Sequence, residues 1–363
     1  MHRRTDGPYP LDDTDKLEEA SLAKFEAYLA KHPNNSNCTL ENAARRYEWS
    51  DLSEGQRKEY IAAVLCLQKK PPISPRDKYP GALNRFDDFV ATHESMAPEL
   101  HSTPHLFTAH RLYIWAYEKA LRDECGYTGY QPYWNWARYA ADPINSPLFN
   151  GNDSSMGGNG LPSEYPGIPS MSFKPPYDMI PSAGGGGCVT EGPFKDMVVS
   201  LGPFGKIVND LPPNPRADNF GSNPRCLRRD VNKYSAAVTF DNYTYSLITE
   251  NNNIEDFQAN MLGNASRNDW GVHMGGHYTI GGDPGGDFYS SPGDPVFYFH
   301  HGMIDRIWWI WKMQDPENRM NVLSGNPSKG DTVDLKWTAP KSKTWDMMNP
   351  IGGNNGDFCY IYV

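Results

Sequence analysis

The sequence predicts a mainly α-helical fold, with a core of four helices wrapped by long irregular loops and a few short strands. Four stretches repeat apolar residues every three or four positions, and each carries at least one histidine on its apolar side. The chain also contains 33 glycines, 31 prolines and 13% aromatic residues, which favours long connections pinned by rings. No repeat or heptad pattern is present. We therefore expect residues 1–363 to form a single domain.

Charge and hydropathy argue against several classes of partner. The formal net charge is -10, and the acidic residues are spread along the chain. This distribution argues against nucleic acid and anionic membranes as partners and is explained most simply by solubility. The longest apolar run, residues 61–67, is too short to span a bilayer. The sequence does not indicate an oligomeric state.

The first 70 residues contain three predicted helices. Apolar residues recur at helical spacing over residues 12–31, which predicts a surface helix. Residues 40–49 are expected to form a short helix. Ser53 and Gln56 match a capping box, which predicts a further helix running to about Lys69.

Two further helices place a histidine on an apolar face. The first is expected over residues 82–93 and ends at His93. The second is expected over residues 105–124 and carries His110. The connection between these two helices contributes His101.

Residues 141–226 are the least regular part of the chain. A stretch this long without regular structure is uncommon in a compact domain unless it is a binding loop or a disulfide ties it. Cys188 and Cys226 both lie inside it, and we expect them to pair. Because the chain has six cysteines without CxxC spacing, three disulfides are possible, and the sequence alone leaves their pairing open.

Cysteines and glycosylation sequons together favour a secreted protein. Five Asn-x-Ser/Thr sequons accompany the six cysteines, at Asn34, Asn37, Asn152, Asn242 and Asn264. The first residues contain no apolar signal segment. Extracellular localisation is therefore inferred from composition, and we expect the export signal to be absent from this chain.

Two predicted helices in the last third of the chain cover residues 254–262 and 270–280. The second of them carries His273 and His277, which lie one helical turn apart. Two imidazoles at this spacing can bind the same ion.

Another helix is predicted over residues 294–313, with Asp294 as its N-cap and Pro295 in its first turn. His301 shares one side of this helix with Ile304, Asp305 and Trp308. His301 would therefore point into the core, as a ligand does. With the two imidazoles of the preceding helix it predicts one metal site.

This region resembles the second copper motif of the type 3 copper proteins, the family of tyrosinases, catechol oxidases and haemocyanins. The resemblance rests on Asp294-Pro295-x-Phe297-Tyr298-x-x-His301-x-x-x-Asp305-Arg306 together with His273-x-x-x-His277. The terminal Tyr360-Ile361-Tyr362 is similar to the strand that ends the catalytic domain in this family. Nothing follows it here, so we expect no C-terminal shielding domain.

The resemblance implies two copper ions in a dinuclear centre bridged by an oxygen species. By the family's motifs, the six ligands are His93, His101 and His110 for the first ion, and His273, His277 and His301 for the second. His105 is the alternative to His101, which is favoured because the motif places the loop ligand nine residues before the His-Arg pair. Two sets of three imidazoles favour copper over a mononuclear zinc site.

The residues around the expected ligands are assigned supporting roles. His300 and His301 would point about 100° apart on a helix, so we expect only His301 to bind, with His300 buried behind it. Asp305 and Arg306 are expected in the hydrogen-bonded surroundings of the site, or as an ordinary buried ion pair. Glu99 replaces the cysteine that many fungal members link to the loop histidine, so no thioether is expected.

The implied activity is oxidation of o-diphenols to o-quinones, with O2 reduced to water and weak or no hydroxylation of monophenols. A full tyrosinase, which also hydroxylates monophenols, is the alternative, and a haemocyanin-like oxygen-binding protein is a further one. Many tyrosinases have asparagine after the ligand equivalent to His273, where this chain has Met274. Without that amide, we expect little capacity to hold a water that deprotonates a monophenol.

Two aromatic residues are further candidates for the active site. Phe288 lies thirteen residues before His301 and is expected over the second copper as a substrate gate, or as a loop anchor. Phe297 lies one turn before His301 and is expected to pack against the copper-bound imidazoles. The partners are therefore small phenols and O2.

Overall fold

A computed structural model of the chain describes residues 8–101, 103–164, 167–169, 179–204, 211–263 and 269–363. Within these ranges the fold is mainly helical, as predicted. The helices are α1 Asp13–Lys31, α2 Glu54–Leu67, α3 Arg85–Leu100, α4 Leu106–Cys125, α5 Lys233–Ala236, α6 Asp241–Glu250, α7 Ile254–Leu262, α8 Gly271–Ile280, α9 Phe297–Gln314 and α10 Pro316–Arg319.

The histidine-bearing helices α3, α4, α8 and α9 form the core, as predicted. In α9 every residue from Phe297 to Met313 is buried. Helix α9 packs against α1, α4, α6 and α8, and α3 packs against α4. A helix that is apolar nearly all round has to be surrounded in this way. Helix α9 is therefore the central element of the fold.

The strands are short and form two-stranded pairs across the described part of the chain. They are β1 Ala44–Arg46, β2 Gly160–Pro162, β3 Ile168–Pro169, β4 Met179–Ile180, β5 Gly186–Val189, β6 Val198–Val199, β7 Arg225–Cys226, β8 Thr332–Val333, β9 Ser342–Lys343 and β10 Tyr360–Tyr362. The strand expected at the chain end is confirmed. It pairs in parallel with β1, so the end of the chain returns to its beginning.

The short helix expected over residues 40–49 is wrong, because this stretch contains β1. Ala44 faces Tyr360, and Arg46 faces Tyr362. The partner strand lies more than 300 residues away, and local spacing of apolar residues carries no information about it. The capping box of Ser53 with Gln56 is confirmed at the start of α2.

Two helix ends differ from the prediction. Helix α9 starts at Phe297, three residues after Asp294. The Asp294 carboxylate accepts the N–H of Val296 at 2.9 Å in the turn that leads into the helix, and it also binds Arg229 at 2.7 and 2.8 Å. Helix α3 continues past His93 to Leu100. Its Pro98 lies in the last turn, where the missing N–H removes one bond to the carbonyl four residues earlier, and the helix ends two residues later.

Three disulfides connect Cys38 to Cys359, Cys66 to Cys125 and Cys188 to Cys226, so the pairing expected across the irregular segment is confirmed. No helix within the described ranges is long and apolar enough to cross a membrane. Three of the sequon asparagines are exposed and Asn34 is half-buried, whereas Asn264 lies outside the described residues.

Candidate metal centre

The first histidine cluster consists of His93 on α3, His101 immediately after α3, and His110 on α4. One ring nitrogen from each lies within 4.8 Å of the others. All three side chains are buried, and His101 is the most exposed of them at 7%. Because α3 continues to Leu100, His101 lies at a fixed helix end rather than in the free connection that the sequence suggested.

Backbone carbonyl oxygens orient all three rings of this cluster. The Nδ1 atoms of His93, His101 and His110 lie 2.6, 2.8 and 2.7 Å from the carbonyl oxygens of Tyr289, Ala97 and Leu106. Each ring can therefore donate its Nδ1 proton and keep the lone pair of Nε2 for a metal. These acceptors are main-chain atoms, and no residue type in the sequence indicates them.

His105, the alternative ligand, is not part of the cluster. It is the residue before α4, and its Nδ1 lies 3.3 Å from the hydroxyl oxygen of Thr344. The described residues that could hold an ion here are His93, His101 and His110.

The second cluster contains four histidines: His273 and His277 on α8, and His300 and His301 on α9. One nitrogen from each lies within 4.8 Å of the others, and all four residues are buried. The Nε2 atoms of His277 and His301 are only 3.2 Å apart. Two neutral imidazoles at this distance offer their lone pairs to a shared ion.

His300 is buried beside His301, as predicted, and its ring also lies close to His277. Its ring centre lies 4.4 Å from that of His277 and 5.1 Å from that of His301. The two adjacent histidines both reach His277, because α8 packs across the first turns of α9. Their separation of about 100° around the helix axis therefore does not exclude His300 from the site.

The two clusters face each other. The rings of His110 and His301 stack with centres 4.2 Å apart and planes 8° apart. The rings of His101 and His273 lie 6.0 Å apart. Phe297 packs between the clusters, with its ring centre 4.2 Å from His301 and 5.3 Å from His93.

Burial keeps these imidazoles neutral. It lowers the pKa of His93 to about 3, with a smaller effect from the neighbouring His101, and it lowers the pKa of His101 to about 4. Burial and neighbouring imidazoles also lower the pKa of the remaining cluster histidines: His110, His273, His277, His300 and His301. Neutral rings are the form that binds metal. Their unpartnered buried nitrogens fit two metal ions held by imidazole alone.

Asp305 links the two helices that carry the stacked histidines. Its carboxylate accepts hydrogen bonds from Arg111 Nε and from the hydroxyls of Tyr360 and Tyr362, each at 2.7 Å, and Arg46 lies 3.8 Å away. Burial alone would raise the pKa of Asp305, but the two arginines and the two hydroxyls together lower it. Asp305 therefore joins α4, α9 and the last strand.

Arg306 belongs to a separate buried ion cluster. Its guanidinium binds Asp15 and Glu18 on α1. These contacts hold α1 against α9. Of the two roles expected for Arg306, these contacts favour a buried ion pair over a place in the hydrogen-bonded surroundings of the imidazoles.

The remaining candidate residues lie at the partly exposed side of the clusters. Phe288 is half-buried, and its ring centre lies 4.5 Å from that of His101. It therefore contacts the first cluster, whereas the sequence suggested the second. Met274 is half-buried beside His273, and Glu99 is exposed.

Comparison with known proteins identifies the family. Over residues 83–314, more than half of the chain, the sequence matches the family model for the common central domain of tyrosinase. The chain belongs to the tyrosinase family. Tyrosinase-like protein orsC of Emericella nidulans is 39% identical over 311 residues, which cover 81% of this chain and 80% of that protein. Tyrosinase P of Aspergillus terreus is 36% identical over 338 residues, which cover 88% and 91%.

A solved structure shares the whole fold. A variant of the polyphenol oxidase from Thermothelomyces thermophila is 36% identical and superimposes with a TM-score of 0.87, covering 99% of this chain and 100% of that one. This tyrosinase-family chain is therefore a copper oxidoreductase. Its two facing histidine clusters fit the dinuclear copper centre of the family.

Proposed function

We propose that this tyrosinase-family protein oxidises o-diphenols to o-quinones and has little capacity to hydroxylate monophenols. His93, His101 and His110 would hold one copper ion, and His273, His277 and His301 the other. The observation that supports this proposal is the pair of facing clusters, with His110 and His301 in ring contact. When bound, the two coppers supply the electron transfer between phenol and O2. Two o-diphenols each release two electrons and two protons, and one O2 becomes two waters.

The residues of the chain would select and orient the phenol. The ligands are buried, whereas Met274, which follows His273, and Phe288, which contacts His101, are half-buried. The rings of His101 and His273 lie 6.0 Å apart, so the substrate would approach on this side of the clusters. Phe288 offers its ring beside His101, against which a phenol can pack. Phe297 fills the space between the imidazoles and excludes water from it.

Met274 is proposed to limit monophenol hydroxylation, because a thioether cannot hold a water as an amide can. Replacing it in Met274→Asn should raise the ratio of monophenol to diphenol oxidation rates about tenfold or more, since a positioned proton acceptor typically contributes about 10²–10⁴ to a rate. Oxygen uptake with tyramine and with catechol measures this ratio.

The matched control for this substitution is Met274→Leu, which keeps the volume and adds no amide. It should leave the ratio as it is in the wild type. An unchanged ratio in Met274→Asn, with two coppers bound, would mean that residue 274 does not limit hydroxylation.

The proposed function itself is tested by loading the protein with copper, confirming two ions per chain and recording oxygen uptake. Rapid uptake with catechol and a negligible rate with tyramine supports it. Comparable rates with both phenols would make the protein a full tyrosinase, the activity that the name of the Aspergillus terreus relative carries. Two bound coppers without oxidation of either phenol would indicate reversible oxygen binding or a different substrate.

Extracellular localisation is proposed on separate grounds. Three disulfides persist in oxidising compartments and are rare in the cytosol. Exposed sequons at Asn37, Asn152 and Asn242 are sterically accessible to glycosylation. We further propose that the copper centre and its surrounding loops act as a single catalytic domain.

A further inference from the structure

The second cluster contains one imidazole more than a three-coordinate ion requires. His300 is 0% exposed, and its ring is enclosed by His277, His301 and Trp136 at centre distances of 4.4, 5.1 and 5.2 Å. It belongs to the four described histidines whose nitrogens lie within 4.8 Å of one another.

A buried imidazole destabilises the fold unless its ring nitrogens find a hydrogen-bond partner or a metal ion. Neither ring nitrogen of His300 makes a hydrogen bond of good geometry, and the backbone carbonyl of His273 is the acceptor that the ring approaches. Burying an unpaired polar group costs about 1–3 kcal/mol, whereas a phenylalanine ring would fill the same space without that cost. One carbonyl oxygen can accept a proton from one ring nitrogen only, so the described protein atoms leave at least one nitrogen of His300 without a partner.

A glycine in α8 makes room for this ring. A Cβ atom added at Gly276 would lie 2.2 Å from Cε1 and 2.3 Å from Nδ1 of His300, which is too close for any side chain. The glycine lies one residue before His277 in the same helix. Glycine in a helix interior lowers helix stability by about 1 kcal/mol relative to alanine. At this position it allows the ring of His300 to lie next to the ligands.

We propose that His300 is a reserve ligand of the second copper ion, meaning an imidazole that takes the place of a missing member of His273, His277 and His301. The inference rests on the proposed copper ligation and extends it. Four nitrogens within 4.8 Å allow any three to surround one ion, and three at a time leave a coordination position open. His300 would retain the ion while another imidazole is displaced.

The first cluster provides the contrast. It has three imidazoles, and the nearby His105 is directed to the hydroxyl of Thr344. Losing one ligand there leaves two, whereas losing one from the second cluster leaves three. The two sites should therefore differ in how well they retain copper after a single substitution.

The test compares copper retention in the full-length chain rather than activity. Wild type, His110→Ala, His301→Ala and the double variant His301→Ala/His300→Phe are loaded with copper and dialysed against a chelator. Phenylalanine keeps a ring against Gly276 and removes the nitrogens, and His300→Ala replaces it if the first version misfolds by circular dichroism. Copper per chain and the chelator concentration that removes half of it are measured.

We expect two coppers in the wild type and one in His110→Ala. His301→Ala should keep close to two, with its second ion held about 10–100-fold more weakly, and the double variant should keep one. If His301→Ala falls to one copper just as the double variant does, His300 is not a ligand and the inference is overturned. A wild type that binds two coppers but oxidises no phenol would reject the proposed function and leave this result standing. A wild type that binds fewer than two would reject both.

Discussion

The two histidine clusters are built by different means. In the first, a backbone carbonyl fixes each ring, and two of the acceptors lie four residues earlier in the chain, at Ala97 and Leu106. In the second, the Nδ1 atoms of His273, His277 and His301 find no hydrogen-bond acceptor among the described residues. Hydrogen bonds orient one set of imidazoles, and packing orients the other.

This difference has a physical consequence for metal binding. Rings held by hydrogen bonds keep their direction before a metal arrives. The first cluster is therefore preorganised, by local bonds at His101 and His110 and by the distant Tyr289 carbonyl at His93. The second depends on neighbours such as Phe297 and Trp136 and on the crossing of α8 over α9. Among the described residues the second cluster lacks such hydrogen bonds, but it contains a fourth imidazole. The first site therefore relies on hydrogen bonds that orient its three imidazoles, and the second on packing and on one more imidazole than three-coordinate binding needs.

The largest effect is expected from removing a ligand of the cluster without surplus. His93→Ala should lose the first copper and lower oxygen uptake with catechol by at least about a hundredfold, because even loss of a ligand's hydrogen-bond partner costs about 10–100-fold. The counterpart His277→Ala leaves three imidazoles in its cluster and should retain more copper. Copper per chain and oxygen uptake measure both. Equal losses in the two variants would remove the distinction between the clusters.

The connection between the clusters gives the next largest effect. Asp305→Asn should destabilise the metal-free protein by about 3–5 kcal/mol, because it leaves the buried guanidinium of Arg111 without its counter-charge, whereas Arg46 keeps Glu118 at 3.0 Å. Urea unfolding measures the change. Glu317→Gln, which breaks an exposed pair with Lys31, serves as the control and should leave the midpoint unchanged. A small effect of Asp305→Asn would mean that the helices are held together by apolar packing alone.

Local sequence patterns predict most of the helices, but they do not predict elements whose structure depends on a residue far away in the chain. The helices that carry His110 and His277 follow from apolar spacing, and the capping box fixes the start of α2. By contrast, β1 depends on a strand at the far end of the chain. The assigned start of α9 lies three residues beyond Asp294, whose carboxylate is shared between the N–H of Val296 and the distant Arg229. Long-range partners of this kind leave no mark in local periodicity.

In the candidate site, too, some features could be predicted from the sequence and others could not. The residue motifs bring six histidines together, and the structure gathers all six in two facing groups. His300 is buried, as predicted, and it lies closer to the other three rings than an angle around one helix indicates, because that angle does not include the position of the neighbouring helix. Phe288 was expected at the second cluster and lies against His101, since the loop before α9 folds back toward α3. Relations within one helix were predictable, and relations between elements were not.

Two buried acids, Asp87 and Asp305, should respond to pH in opposite directions. Burial raises the pKa of Asp87, in the first turn of α3, to about 7, whereas the pKa of Asp305 is lowered. Between about pH 4 and pH 7 the folded state keeps the Asp87 proton and the unfolded state has lost it. This group therefore stabilises the fold fully below about pH 4, and its contribution is lost as pH rises to 7.

Replacing this acid tests the sign. Asp87→Asn removes the titration and should flatten the fall in unfolding free energy between pH 4 and pH 7, by at most about 4 kcal/mol at about 1.4 kcal/mol per pKa unit. Urea unfolding at several pH values measures the slope. Asp87→Ala, which also cannot titrate, should flatten it equally although it lowers stability more. A slope as steep as that of the wild type would show that Asp87 is already ionised in the fold at these pH values.

The smallest effect is expected at the opening between the clusters, where Phe288 lies by His101 and Met274 by His273. If Phe288 packs against small phenols and obstructs bulky ones, Phe288→Ala should raise KM for catechol and lower the KM ratio of a bulky phenol to catechol about fivefold, since about 1 kcal/mol of ring contact is lost. Phe288→Leu keeps an apolar side chain and should fall between the two. Copper content should stay at two per chain, because Phe288 is not a ligand. Steady-state oxygen uptake measures both constants, and if neither KM changes, Phe288 anchors its loop and selection of the phenol lies on the Met274 side.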